Sequence, residues 1–112
     1  MTNRICRTAL LALFASTGAV ADDRLAQGKE IAFDRNKGNC LACHMMDDGE
    51  LPGNSAPPLL MMKARFPERD VLRMQIWDAL TRNPISVMPP YGRHRILTEE
   101  EIDLVVDYVH SL

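Results

Sequence analysis

Cys40-Leu41-Ala42-Cys43-His44 sets two thiols three positions apart and puts an imidazole directly after the second. This is the C-x-x-C-H spacing by which a haem is attached covalently to a chain. Each thiol adds across one vinyl group of the porphyrin, giving two thioether bonds. On a helical turn positions 40, 43 and 44 share one face, so His44 is expected beneath the iron as its proximal ligand. A structural zinc site would want four ligands, often as two separated pairs, and the chain has no second cysteine pair. A thioredoxin-like thiol pair belongs to a βαβ setting, and nothing near Cys40 reads as a strand feeding a helix.

The chain has 112 residues, enough for one domain, and its first part reads as a leader. Arg4 and Arg7 form a basic segment, Ala9 to Ala15 an apolar run too short to span a bilayer, and Ala19-Val20-Ala21 a small-x-small cleavage site. Residues 1–21 are therefore expected to be a secretory signal peptide, with 22–112 as the cytochrome c domain. Cleavage after Ala21 leaves 91 of the 112 residues, takes Cys6 with it, and moves the net charge from −2 to −4 as Arg4 and Arg7 leave. The only thiols of the exported chain are then those of the motif. A domain this small has a thin core, and its aromatics are only Phe33, Phe66, Trp77, Tyr91 and Tyr108. A buried porphyrin would supply the missing apolar mass, and the haem-free chain is expected to fold poorly.

Leu25 to about Asn36 reads as a first helix, with Leu25, Gly28, Ile31 and Ala32 near one face. Gly28 sits mid-pattern, either a tolerated cost of about 1 kcal/mol or the mark of a second helix backbone passing close; the second reading is preferred. Residues 47–55 form an acidic loop with Gly49, Pro52 and Gly53 as turn residues. In Ala56-Pro57-Pro58-Leu59 the prolines favour extended backbone with free carbonyls. A ligating histidine usually donates its second ring N–H to a carbonyl, and the Pro57 carbonyl is the candidate for His44. Pro67 can open a further helix, expected to present Val71, Leu72, Ile76, Ala79 and Leu80 on one face and to end at Asn83-Pro84. Trp77 is expected in its core, with an indole N–H that could reach a haem propionate. Thr98 followed by Glu101 is a capping box, and Ile102, Val105, Val106 and Val109 make the apolar stripe of a last helix. The helix around Gly28 is its expected partner.

Methionine is the candidate distal ligand. Met45 and Met46 adjoin the proximal histidine, Met74 reads as core, and Met61 and Met62 stay open as ligands but follow the proline turn closely and are poorly placed. Met88 lies in a loop and is followed by Pro89-Pro90, which hold it extended and stiffen it. Met88 is therefore the expected second axial ligand, a soft donor that raises the potential. His94 is the rival, and its plainer reading is a surface loop histidine; His110, near the chain end, is expected to be exposed.

Charge is uneven. Residues 63–95 carry a net +4, residues 22–62 a net −3 and residues 96–112 a net −5. The basic segment could offset propionates or dock an acidic partner, or be an ordinary solvated face. Nucleic acid is not an expected partner of an exported acidic chain. Both thiols of the exported chain are used by haem, so no catalytic nucleophile remains.

Over its mature length the chain resembles the SoxX family, the monohaem cytochrome c subunits of SoxAX complexes in bacterial thiosulfate oxidation. The resemblance is carried by Ala32-Phe33-Asp34-Arg35, Gly38-Asn39 with the haem motif, Pro57-Pro58-Leu59, Arg65-Phe66-Pro67, Gln75-Ile76-Trp77-Asp78, Asn83-Pro84 and the run from Val87 to Thr98. It implies an all-α class I cytochrome c fold wrapped around one covalently bound haem c, with His44 and Met88 as axial ligands, and a periplasmic home. It also implies a heterodimer with a SoxA-type cytochrome that performs the catalysis (L-cysteine S-thiosulfotransferase), a SoxYZ-type carrier, and a downstream cytochrome as electron acceptor. No membrane insertion is expected after cleavage. The alternative is a free-standing small cytochrome c serving an unrelated oxidase or dehydrogenase.

Overall fold

Two helices far apart in sequence cross at a residue with no side chain, and the rest of the fold is arranged around that crossing. The computed structural model describes residues 17–112. Its helices are α1 (Thr17–Phe33), α2 (Met62–Arg65), α3 (Arg69–Trp77) and α4 (Glu99–His110), with 3₁₀ turns at Cys40–Ala42 and Ala79–Thr81. Among the described residues there are no strands, as an all-α class requires, and no helix is long and apolar enough to cross a membrane. The leader expected over 1–21 lies outside the described residues up to position 16; α1 starts at Thr17, and Gly18 to Ala21 are exposed.

Gly28 is buried where α1 meets α4. A Cβ there would collide with the Leu104 carbonyl and approach Tyr108 Cβ to 2.8 Å, so the close-approach reading of this glycine holds. Ile31 and Ala32 follow it into the core against Ile102, Val105, Val106 and Val109, the stripe read from the sequence. Phe33 meets Tyr108 edge-on, with ring centroids 6.2 Å apart. The capping box is present in both directions: Glu101 N–H donates to Thr98 Oγ1 (3.1 Å) and Thr98 N–H donates to Glu101 (3.0 Å).

Helix α1 stops at Phe33, short of the expected Asn36. The Asp34 carbonyl accepts from Lys37 and Asn39, and its carboxylate accepts from Asn36 N–H, so a turn replaces the last helical residues. Gly38 then folds back over the helix end, its N–H donating to the Ile31 carbonyl at 3.1 Å. A side chain there would press on that carbonyl and on Cys40 Sγ. Asn39 takes a left-handed conformation, φ 48°, which asparagine tolerates. This return delivers the cysteine motif directly onto α1.

The middle helix is shorter than expected. It runs only to Trp77, not to Asn83, because Asp78 turns extended and its buried carboxylate accepts from Leu80 N–H at 3.1 Å, starting a separate 3₁₀ turn. The Trp77 carbonyl, freed from the helix, accepts from Gly92 and Arg93 and ties the loop after Met88 to α3. Leu72, Ile76 and Ala79 are buried as expected, but Val71 is exposed, and Met74, read as core, is 47% exposed. His110 is another correction: it is half-buried, with Nε2 2.8 Å from the Phe66 carbonyl. His94 is exposed.

Basic and acidic side chains join the three longer helices. Asp107 on α4 accepts from Arg24 of α1 (2.9 Å) and Arg69 of α3 (2.6 Å), and Asp103 accepts from Arg73 (2.8 Å). Burial pushes the Asp107 carboxyl up, but the guanidiniums of Arg69 and Arg24 outweigh it and hold it below the ordinary carboxylate range. Arg69, Arg73 and Arg93 of the basic segment are therefore committed to ion pairs inside the molecule.

Candidate haem site

The haem motif forms a tight 3₁₀ turn rather than a stretch of α-helix. Cys43 N–H and His44 N–H both donate to the Cys40 carbonyl, at 3.2 and 2.9 Å. That shared acceptor closes the turn around the Cys40 carbonyl. Cys40 and Cys43 are half-buried free thiols, in no disulfide. Burial pushes the Cys40 thiol up to about 11. Among the described residues, no three His, Cys, Asp or Glu side chains group as a metal-ion site.

The imidazole is oriented by backbone. His44 Nδ1 lies 2.6 Å from the Pro57 carbonyl. The chain before and after that carbonyl is fastened to the motif: Ala56 N–H donates to the Cys43 carbonyl (3.1 Å) and Leu59 N–H to the Met45 carbonyl (2.8 Å). The prolines between them have no N–H to offer, so the strap leaves its carbonyls for other donors. With Nδ1–H given to Pro57, Nε2 keeps its lone pair, the state an iron ligand needs.

Cys40, His44, Pro57 and Met88 line one cavity of about 150 Å³. Its remaining wall is mostly apolar, from Leu59, Met62 and Phe66, from Leu72 and Ile76 of α3, and from Val105 and Val109 of α4. A mostly apolar chamber with a thiol, an oriented imidazole and a thioether on its wall fits a haem: apolar surface for the macrocycle, sulfur for attachment, nitrogen and sulfur for iron. Met88 is half-buried, with its N–H donated to Ser86 Oγ at 3.2 Å. Cys43 shares the motif turn without lining the cavity, and Trp77 lines a separate groove with Gly92 and Arg93. Trp77 stacks under Arg73, 5.3 Å from the ring centroid.

Arg65, Gln75 and Tyr91 also line the cavity, and the reading of the sequence gave them no role. Gln75 was within reach of pattern, since it stands three residues after Leu72, on the same helical face. Tyr91 is buried and donates its hydroxyl to the Gly38 carbonyl; burial raises its pKa. Nothing local in the sequence pairs residues 38 and 91.

Residues 23–109 match the family described as Cytochrome C oxidase, cbb3-type, subunit III. A protein of Aquifex aeolicus (strain VF5), described as an uncharacterized lipoprotein, is 35% identical over 76 residues, which cover 67% of this chain. The matched segment spans 37% of that protein's length. With helices, a haem-attachment motif and an apolar chamber in agreement, the chain belongs to the cytochrome C oxidase, cbb3-type, subunit III family and is a c-type cytochrome, an electron carrier.

Proposed function

We propose that the chain is exported to the periplasm and carries one haem c, bound by thioethers to Cys40 and Cys43 and ligated by His44 and Met88. We further propose that it serves as the SoxX-type subunit of a SoxAX complex. In that setting the partner makes the sulfur–sulfur bond between thiosulfate and a carrier cysteine, and this chain accepts electrons and passes them to a soluble cytochrome. The bound haem supplies a reversible Fe(III)/Fe(II) couple. The chain's own part is to orient His44 through Pro57, exclude water with the side chains of α3 and α4, and hold Met88 in a loop stiffened by Pro89 and Pro90. The observation that carries this reading is the 2.6 Å approach of His44 Nδ1 to the Pro57 carbonyl, because an imidazole so fixed has one nitrogen left for metal. Export is supported by the apolar run before Ala21 and by a relative described as a lipoprotein.

A second reading draws on the family's description, which is that of an oxidase subunit: a free-standing carrier that donates electrons to an oxidase. Expression in a host competent in cytochrome maturation, followed by denaturing electrophoresis and haem staining, tests attachment. A colourless chain with both thiols open to alkylation refutes it. Affinity isolation from thiosulfate-grown cells then separates the roles. A SoxA-type cytochrome in stable stoichiometric complex supports the first; a monomer that reduces an oxidase supports the second.

A further inference from the structure

The strap that orients His44 is itself held by a side chain. Arg65, on α2, points one guanidinium nitrogen at the Pro58 carbonyl (2.7 Å), with the Leu60 carbonyl and Met62 Sδ each at 3.4 Å. Pro57 and Pro58 are adjacent: the first carbonyl accepts from the imidazole and the second from the guanidinium. Among the described residues, backbone bonds fasten the strap only at Ala56 and Leu59, and between them two prolines have no N–H to add. We propose that Arg65 is a positioning residue for the proximal ligand, fixing the Pro57–Pro58 strap so that the Pro57 carbonyl stays on His44 Nδ1.

This rests on His44 being the haem ligand, and the test separates the two ideas. A firm Nδ1–H···O bond makes the imidazole a more basic donor, which favours ferric iron and lowers the potential. Loosening the strap therefore raises the potential. Loss of a nearby positive charge does the reverse, since it too favours ferric iron. The sign of the shift thus distinguishes positioning from charge.

The experiment uses the haem-loaded protein and four variants: Arg65→Met, which loses both charge and bond; Arg65→Gln, which loses charge but keeps an N–H donor; Lys63→Met, which removes a neighbouring exposed charge; and His44→Ala. Reduction potential and the ferric haem-methyl proton shifts, which report the imidazole plane, are measured for each. Arg65→Met is expected above Lys63→Met in potential with an altered methyl pattern. A tenfold loss of the ferric-over-ferrous preference reads as about 59 mV for one electron. Arg65→Gln is expected to keep the wild-type methyl pattern. If Arg65→Met matches Lys63→Met in potential and leaves the methyl shifts in place, Arg65 acts as a charge alone and the proposal fails. Should Arg65→Met not fold, Arg65→Leu takes its place: a potential above that of Lys63→Met with displaced methyl shifts supports the proposal, and a match to Lys63→Met with wild-type shifts overturns it. If His44→Ala keeps the wild-type spectrum, the ligand assignment has failed instead.

Discussion

Replacing Gly28 by alanine asks helix propensity and helix packing to give opposite answers. In a solvated helix the change is favourable by about 1 kcal/mol. Here the new Cβ would meet the Leu104 carbonyl, with its carbon at 2.8 Å, and Tyr108 Cβ at 2.8 Å. Two of those three atoms are backbone of α4, and none can swing aside as the end of a flexible side chain can. The strain belongs at the upper end of the overpacking range, about 3 kcal/mol. Set against the propensity gain, the net loss is about 2 kcal/mol, or a fall in Tm of roughly 8–16 °C for a domain of this size. The assay is guanidinium unfolding of the haem-loaded protein, followed by far-ultraviolet circular dichroism and haem absorbance. Ala26→Gly, at an exposed site two residues earlier on α1, is the reference and is expected to lose about 1 kcal/mol. A Gly28→Ala protein as stable as the parent, or more so, would mean that α1 and α4 do not cross here.

Asp107→Asn is expected to cost roughly 1–2 kcal/mol at neutral pH, a value discounted because the group is partly solvated. The folded-state carboxyl lies below its ordinary range, so in the window between the folded pKa and about 3.9 the unfolded chain binds more protons. Its stabilising contribution is complete above that window and fades as pH falls through it; the parent should lose stability there faster than the Asn variant, and parallel urea-denaturation curves from pH 5 to 2 would contradict this. Thr98→Ala removes the hydroxyl half of the capping box and should cost about 1 kcal/mol in the same unfolding assay; a change within a few tenths would exclude the cap as a stabilising element. Met88→Ala should abolish the weak methionine–iron charge-transfer band of the ferric protein and lower its potential, whereas His94→Ala should leave both in place. The opposite pattern would move the distal ligand from residue 88 to residue 94.

How much of this could be read from the chain depended on how local each signal was. The haem motif, the capping box at Thr98 and Glu101 and the stripe from Ile102 to Val109 are legible because their spacing lies within a few residues and follows from one helical turn. Gly28 was legible as a conflict, a poor helix former in mid-pattern, and the crossing with α4 resolves it. The errors share a cause. Helix α1 was extended past Phe33 and α3 past Trp77 because periodicity does not register Asp34 and Asp78, whose side chains offer the backbone other hydrogen bonds. Met74 and His110 were misplaced because burial depends on which neighbours arrive, and those neighbours are distant in sequence.

The amino-acid order alone determined the C-x-x-C-H motif and the all-helical class, since groups at fixed offsets and apolar residues at helical period carry that information locally. Only the tertiary structure decided that Arg65 grips the strap behind His44, that Asp107 gathers Arg24 and Arg69, and that Tyr91 reaches Gly38. Each of these bonds joins side chains or carbonyls on separate elements. Their meeting follows from how α1, α3 and α4 pack, which no short window of sequence contains.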